Sequence, residues 1–130
     1  MGLHFTTSAR IPAQPKAIYW AWLDSEGHTA MTGAEAVCSA EIEGDFEAWG
    51  GYIEGRNLEL QENERIVQAW RTSEFSDSEP DSRVEITLKA DGDATEVTIA
   101  HTELPEHGMQ YLQGWQDFYF APMTAYFSGQ

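Results

Sequence analysis

The sequence predicts an α+β protein in which one antiparallel sheet is combined with helices near both ends of the chain. Between Ala36 and His101 the apolar residues follow the period of strands that have one wet and one packed face. Residues 12–27 and 105–127 instead carry apolar residues at helical spacing. With 130 residues the chain is long enough for one hydrophobic core, so we expect a single domain over residues 1–130.

The predicted elements begin with a strand at residues 3–11 and a helix that starts near Pro15, because proline is well tolerated in a first helical turn. One face of this helix carries Ile18, Ala21 and Trp22 and should join the core. A second apolar surface lies off that face, and we expect another element or a partner to cover it, fully or in part. It comprises Tyr19, Trp20 and Leu23.

The clearest hairpin of the central region lies between residues 83 and 101. Val84, Ile86 and Leu88 alternate with polar residues, as in a strand packed on one face only. The tight turn "DGDA" at 91–94 then leads into a second alternating run that ends at His101. This pattern predicts an antiparallel pair of strands.

A second hairpin is predicted upstream of the first. The runs "YIEGRNLEL" and "RIVQAWR" flank the short polar segment "QENE", and Gly55 in the first run suits a bulge or a close backbone approach. The polar "SEFSDSEPDS" at residues 73–82 predicts a long connection between the two hairpins. The sheet should therefore be a meander.

A terminal helix is predicted from about Pro105 to about Phe127. Glu103 and Glu106 suit the positive end of its dipole. Pro122 removes one hydrogen bond to the preceding turn, so it should kink this helix or end its regular part.

The charge of the chain excludes several classes of partner. Its 22 Asp and Glu against 7 Lys and Arg give a formal net charge of −15, which repels a phosphate backbone or an anionic membrane surface. We therefore expect no nucleic-acid partner. No apolar run approaches the roughly 20 residues of a membrane span, and the N-terminus lacks a signal-peptide pattern. With Cys38 as its lone cysteine, the chain is predicted to be cytoplasmic.

The residues that carry chemistry indicate neither a metal site nor an established catalytic set. His101, Glu103 and His107 bracket a strand-to-helix junction in "HTELPEH", but their spacing matches no established metal pattern. Cys38 has no visible base beside it and is interpreted as a small buried hydrophobe. Because dinucleotide, phosphate-loop and hydrolase signatures are missing, we assign no catalytic residue, no metal and no cofactor.

Two long stretches resemble the family of homologues of the heat-shock protein 90 ATPase activator. They are "MTGAEAVCSAEIEGDFEAWGGYIEGRNLELQENERIVQAWR" at residues 31–71 and "HTELPEHGMQYLQGWQDFYFAPM" at residues 101–123. The most specific parts are "GYIEGRNLEL", "RIVQAWR" and the "GW" of Gly114 and Trp115. This family belongs to the START-like (SRPBCC), or Bet v 1-like, superfamily. The resemblance implies a helix-grip fold with short N-terminal helices, in which a curved antiparallel sheet wraps around a long C-terminal helix and commonly leaves a cavity.

In such a fold one stripe of the last helix faces the hollow side of the sheet. The stripe that we place inward, at helical spacing, comprises Leu112, Trp115, Tyr119 and Met123. If Trp70 points inward, Gln68 on the same strand does too, and a buried amide needs a hydrogen-bond partner. That partner can be the protein itself, trapped water or a ligand.

We hypothesise that the cavity binds a small, largely hydrophobic ligand that carries one or two polar groups. The alternative is that Gln68 bonds to protein and that the cavity is too small to matter. The predicted lining comprises Gln68, Trp70, Ile86, Ile99, His101, Leu112, Trp115, Tyr119 and Met123.

Two other functions stay open. The family resemblance suggests a co-chaperone that acts on a heat-shock protein 90-type ATPase, although the resemblance is to the activator's C-terminal-type domain. Polyketide aromatases and cyclases of the wider superfamily suggest an enzyme, for which His101, Gln68 and Tyr119 are the candidates to position a substrate without forming a catalytic set. The oligomeric state stays open between monomer and homodimer.

Overall fold

The computed structural model describes residues 2–129, and within them six strands form one antiparallel sheet. The strand order is β1-β6-β5-β4-β3-β2, so that β2 to β6 are a meander and β1 returns to pair with β6. This arrangement confirms the predicted α+β fold. The strands are β1 (Leu3–Ile11), β2 (Asp45–Ala48), β3 (Ile53–Gln61), β4 (Arg65–Thr72), β5 (Ser82–Asp91) and β6 (Ala94–Leu104).

Two short helices follow β1, as the helix-grip fold implies, although the helical spacing of residues 12–27 had predicted one continuous helix there. Helix α1 spans Pro15–Leu23 and helix α2 spans Ser25–Thr32, with Asp24 in an extended conformation between them. The carboxylate of Asp24 caps α2 by accepting a hydrogen bond from the Gly27 amide at 2.9 Å. Helix α2 ends at Gly33, whose φ of 83° lies in the left-handed region that favours glycine.

More of the apolar surface of α1 is buried than its predicted core face alone. Tyr19 and Leu23 were expected off that face, but they are buried because both α2 and the sheet pack against α1. Ala21, expected in the core, is only partly buried. Trp20 keeps 41% of its surface exposed. The buried side chains of α1 are Ile18, Tyr19, Trp22 and Leu23.

Both predicted hairpins are present. Strands β5 and β6 are joined through Gly92 and Asp93, and Gly92 has the positive φ of 64° that a tight turn requires. Residues 62–64 join β3 to β4, and residues 73–81 form the long connection between β4 and β5.

Gly55 lies where the backbones of neighbouring strands come unusually close. A Cβ atom added at Gly55 would lie 1.9 Å from the carbonyl oxygen of Ala69 and 2.8 Å from a ring carbon of Phe46. The close approach predicted at this glycine is confirmed. The register shift of β3 lies further along, between Asn57 and Glu59.

The C-terminal helical segment continues through Pro122 instead of ending there. A widened π turn precedes the proline, and the backbone N–H of Ala121 bonds to the carbonyl of Gln116, five residues earlier. Because proline has no N–H, the carbonyl of Phe118 loses its helical donor, and the widened turn lies at that position. The segment comprises a 3₁₀ turn (Glu106–Met109), α3 (Gln110–Trp115), the π turn (Gln116–Phe120) and α4 (Ala121–Ser128).

The buried stripe of this segment begins at Tyr111, not at Leu112 as predicted. Leu112 is only partly buried, whereas Tyr111 is 6% exposed. Around the helix axis Tyr111 lies roughly 40° from Trp115, and Leu112 lies roughly 60° away on the other side. The π turn has more residues per turn than an α-helix and keeps the stripe in line. The stripe comprises Tyr111, Trp115, Tyr119, Met123 and Phe127.

The core lies between the inner face of the sheet and the helices. Ile86 of β5, Ile99 of β6 and Met123 of α4 are fully buried members of one apolar cluster. Trp115 belongs to the same cluster at 3% exposure, so the helix-grip arrangement places this indole inside. Among residues 2–129, none of the helices combines the length and the apolar character that crossing a membrane requires.

Candidate functional site

The predicted cavity residues fall into three groups. Trp70, Trp115 and Tyr119 lie together in the wall of a groove between the sheet and the last helix. Leu112 is partly buried outside that wall. The other predicted residues are buried and do not line the groove, and their contact with a ligand stays a prediction. They are Gln68, Ile86, Ile99, His101 and Met123.

His101 is the centre of a buried chain of hydrogen bonds that joins the last helix to the sheet. Its Nδ1 accepts a hydrogen bond from Nε1 of Trp115 at 3.1 Å. Its Nε2 lies 2.8 Å from the hydroxyl of Ser82, which donates to the carbonyl of Trp70 at 3.0 Å. Since Nδ1 must accept, Nε2 carries the ring proton and donates it to Ser82.

The pKa of His101 is lowered to about 3 because the ring is buried and its charged form is poorly solvated. The ring is fully buried, and both of its nitrogens already have partners. It is therefore a neutral structural bridge in this arrangement, and neither nitrogen is free to accept a proton from a substrate.

A second buried histidine, His28, bonds to the last helix one turn further along, at Tyr119. Nδ1 of His28 bonds to the carbonyl of Trp22 at 2.9 Å, and Nε2 accepts a hydrogen bond from the hydroxyl of Tyr119 at 2.8 Å. Burial lowers the pKa of His28 and raises the pKa of Tyr119. The ring of Trp22 stacks on Tyr119 with centroids 5.1 Å apart. The last helix is thus anchored to the sheet at Trp115 and to α1 and α2 at Tyr119.

The amide of Gln68 has a partner within the protein. Its Nε2 donates to Oδ1 of Asn57 at 3.0 Å, on the neighbouring strand. The Nδ2 of Asn57 in turn donates to the carbonyls of Ser39 and Glu41 at 2.8 and 3.0 Å. This network ties the loop before β2 to the sheet, and it gives the NH₂ group of Gln68 a partner within the protein.

The groove beside the last helix has a volume of about 360 Å³ and mainly aromatic walls. One side is formed by the turn between β2 and β3, the start of β3 and Trp70 of β4, and the other side by α3 and the π turn. Phe118 at its rim is 53% exposed, so the groove is open to solvent. It is lined by Trp49, Tyr52, Ile53, Trp70, Gln110, Tyr111, Gly114, Trp115, Phe118 and Tyr119.

Trp49 is the most constrained residue of the groove wall. Its φ of 54° lies in the left-handed region, which costs a non-glycine residue roughly 1–2 kcal/mol. Its Nε1 is buried and has no hydrogen-bond partner among the described residues. The ring contacts Phe118 edge-on, with centroids 5.3 Å apart. Such backbone strain persists only where the surrounding structure fixes the residue. Here the indole is fixed against the π turn.

A cluster of hydroxyl groups and a carboxylate lies behind two tyrosines of the groove wall, Tyr52 and Tyr111. The hydroxyl of Tyr52 donates to Oε2 of Glu74, and the hydroxyl of Tyr111 lies 2.6 Å from Oγ1 of Thr72. Burial and the hydrogen bond to Glu74 raise the pKa of Tyr52, so the phenol stays protonated and can donate that hydrogen bond. We call Tyr52, Thr72, Glu74 and Tyr111 the rim cluster.

The residues considered for metal binding or nucleophilic chemistry have other partners. His107 pairs with Glu79 at 3.1 Å, whereas His101 bonds to Ser82 and Trp115. Within residues 2–129 no three His, Cys, Asp or Glu side chains come together as a metal site would require. Cys38 is partly buried, and desolvation raises the pKa of its thiol to about 11. The reactive thiolate is therefore scarce at neutral pH.

Sequence reasoning placed His101 on the inner face but missed its hydrogen-bond partners, the His28 bridge and most of the groove. His28 lies in a short helix whose pattern predicts no burial, and Trp49 follows a four-residue strand. The one available signal for the groove was "WGG" at residues 49–51, because two consecutive glycines indicate a turn.

This geometry defines a helix-grip protein: an antiparallel sheet whose inner face is closed by a C-terminal helix, with an aromatic groove at the seam. Residues 12–128 match the model of the family described as activator of Hsp90 ATPase homolog 1-like protein. The chain belongs to that family.

A relative from Dictyostelium discoideum is called activator of 90 kDa heat shock protein ATPase homolog. The chain is 34% identical to it over 89 residues. The match covers 67% of this chain and 23% of the relative, so the chain spans about a quarter of that protein's length.

Solved structures with the same fold come from several organisms. An HSP90 activator from Plasmodium falciparum has a TM-score of 0.78 at 18% identity, over 92% of this chain and 91% of that one. The Aha1 dimer from Colwellia psychrerythraea has a TM-score of 0.80 at 15% identity, over 98% of each chain. At these identities the likeness concerns the fold.

Proposed function

We propose that this protein is a non-catalytic binding protein that holds a small, largely apolar aromatic molecule in the groove beside its last helix. The observation that carries the proposal is the composition of the groove wall, in which seven of ten residues are aromatic. A volume of about 360 Å³ falls within the range of roughly 300–1,000 Å³ that small-molecule sites occupy.

The groove is preformed, which favours binding without a large ordering cost. Trp115 and Tyr119 are held by hydrogen bonds to His101 and His28, and Trp70 packs on the ring of His101 at 4.6 Å. Gly114 keeps the helix side of the groove open, because an added Cβ would have no heavy atom closer than 4.0 Å.

The test is a titration with naphthalene derivatives and a panel of lipids, followed by tryptophan fluorescence and by melting temperature. We expect micromolar binding of neutral aromatic compounds. Gly114→Leu should weaken it at least tenfold because the side chain fills the groove. Ala125→Leu is the matched control, since Ala125 is exposed on the same helical segment. No binding by any compound of the panel would overturn the proposal.

A second candidate is a co-chaperone role on a heat-shock protein 90-type ATPase in the cytoplasm. The relationship to the Dictyostelium activator homolog favours it. Aromatic residues are common anchors of protein interfaces, and Trp20 is 41% exposed. Tyr19, which was expected to share that surface, is buried and leaves Trp20 as the candidate anchor.

Binding to the chaperone of the same organism and its ATPase rate test this second candidate. We expect Trp20→Ala to weaken binding and stimulation about tenfold, whereas Ile42→Ala, an exposed apolar residue outside the groove, should leave both unchanged. Absence of binding and of stimulation at micromolar protein would contradict the co-chaperone role.

A further inference from the structure

We infer that the groove selects an organic cation: an ammonium or quaternary ammonium group attached to an apolar or aromatic body. This inference deepens the proposed binding function and rests on it. It follows from the rings of the wall, from the charges at the rim and from the pairing of the arginines.

The groove wall contains rings but no ionised side chain. Its members are seven aromatic residues, Ile53, Gln110 and Gly114. The faces of aromatic rings carry negative charge density and attract cations, most strongly for Trp and Tyr. Six of the seven rings are Trp or Tyr, so the wall is suited to a cation and offers an anion no compensating charge.

The rim cluster adds a carboxylate behind the wall of the groove. Tyr52 lines the groove and donates its phenolic hydrogen to Glu74, which places the carboxylate one hydrogen bond behind the wall. Glu74 is exposed, and its carboxylate has no ion-pair partner among the described residues. The carboxylate is therefore available to attract a positive group that enters between Tyr52 and Tyr111.

An anionic headgroup, such as that of a fatty acid, would find no arginine to bind. Every arginine of the chain already pairs with a carboxylate: Arg10 with Asp91, Arg56 with Glu43, Arg65 with Glu59 and Glu85, Arg71 with Asp81, and Arg83 with Glu59 and Glu85. The net charge of −15 further raises the local concentration of cations and lowers that of anions.

The experiment compares two probes of nearly equal shape. They are (naphthalen-2-ylmethyl)trimethylammonium and its uncharged carbon isostere, 2-neopentylnaphthalene, each titrated into the wild-type protein. We expect the cation to bind about tenfold more tightly at low salt, through cation–π and Coulomb attraction. The preference should shrink in 0.5 M NaCl. Excess isostere should displace the cation, because both occupy the same groove.

Glu74→Gln is the variant, and Asp77→Gln, an exposed residue of the same loop, is its control. We expect the cation preference to fall about threefold in Glu74→Gln and to stay unchanged in Asp77→Gln. Equal affinity for the two probes, or a cation that the isostere does not displace, would overturn the inference and leave the proposed function standing. Failure of both probes to bind would overturn the inference, and the proposed function falls with it when the whole panel of aromatic compounds and lipids also fails to bind.

Discussion

Nε1 of Trp115 donates a hydrogen bond to Nδ1 of His101 across 3.1 Å inside the core, and this bond connects the last helix to β6. The two side chains are 3% and 0% exposed. A polar pair in such a place orients both rings and is costly to break, because the partner that remains is buried without water. The position of the groove wall therefore depends on a histidine that does not touch the groove.

Trp115→Phe should destabilise the protein by about 1–3 kcal/mol beyond the loss of ring area, because Nδ1 of His101 loses its donor. Trp49→Phe is the matched control: it makes the same chemical change where Nε1 has no partner among the described residues. Urea unfolding of the two variants provides the comparison. An equal loss in both would contradict a stabilising role for the bond.

His101 should stay neutral in the folded protein, with the proton on Nε2, down to about pH 4, because burial lowers its pKa to about 3. An unfolded histidine takes up a proton near pH 6.5. Between about pH 3 and pH 6.5 the unfolded state binds more protons at this histidine than the folded state does. The free energy of unfolding therefore falls as the pH falls. The slope is up to about 1.4 kcal/mol per pH unit.

Long-range ¹H–¹⁵N NMR spectra of the imidazole rings check both statements. They report the tautomer of His101 directly and follow its titration. A titration midpoint above pH 5, or a proton found on Nδ1, would show that the bonding pattern assigned to His101 is incorrect.

Tyr119→Phe should cost about 1–3 kcal/mol, because Nε2 of His28 is left buried without a donor. Tyr111→Phe should cost less, since the hydroxyl of Thr72 also accepts the Glu74 amide at 3.2 Å and stays partly satisfied. Thermal unfolding of both variants measures the difference. The reverse order of stability would contradict the anchoring role of His28.

Gly55→Ala should prevent folding or cost well over 3 kcal/mol, because the new Cβ would lie 1.9 Å from the carbonyl oxygen of Ala69. Gly50→Ala is the control: its φ is 66° but no atom lies within 4 Å of the added Cβ, so we expect about 1 kcal/mol. Circular dichroism and urea unfolding distinguish them. Similar costs would argue against a steric role for Gly55.

Gly114→Ala should stabilise the fold by about 0.5–1 kcal/mol, because alanine is the better helix former and the methyl group has room. The same methyl group projects into the groove wall and should weaken binding of naphthalene probes severalfold. A melting curve and a titration of the same variant measure the two effects. A lower melting temperature would show that the groove side is already tightly packed.

The amino-acid sequence by itself determined the order of the elements, both hairpins, the close approach at Gly55 and the family. These features depend on residues that are close together in the sequence: on the spacing of apolar residues, on turn residues such as Gly92 and on the motifs that resemble the family. The burial of Trp115 also followed, because an apolar stripe on a long helix must face the sheet.

Only the tertiary structure decided which polar groups meet inside. Trp115 bonds to a histidine 14 residues away, Tyr119 to one 91 residues away, and Gln68 to Asn57 across a strand pair. The tertiary structure also decided that Tyr111, not Leu112, lies in the buried stripe. Such pairings depend on the directions of side chains after distant segments have packed together. The spacing of apolar residues along the sequence does not specify those directions.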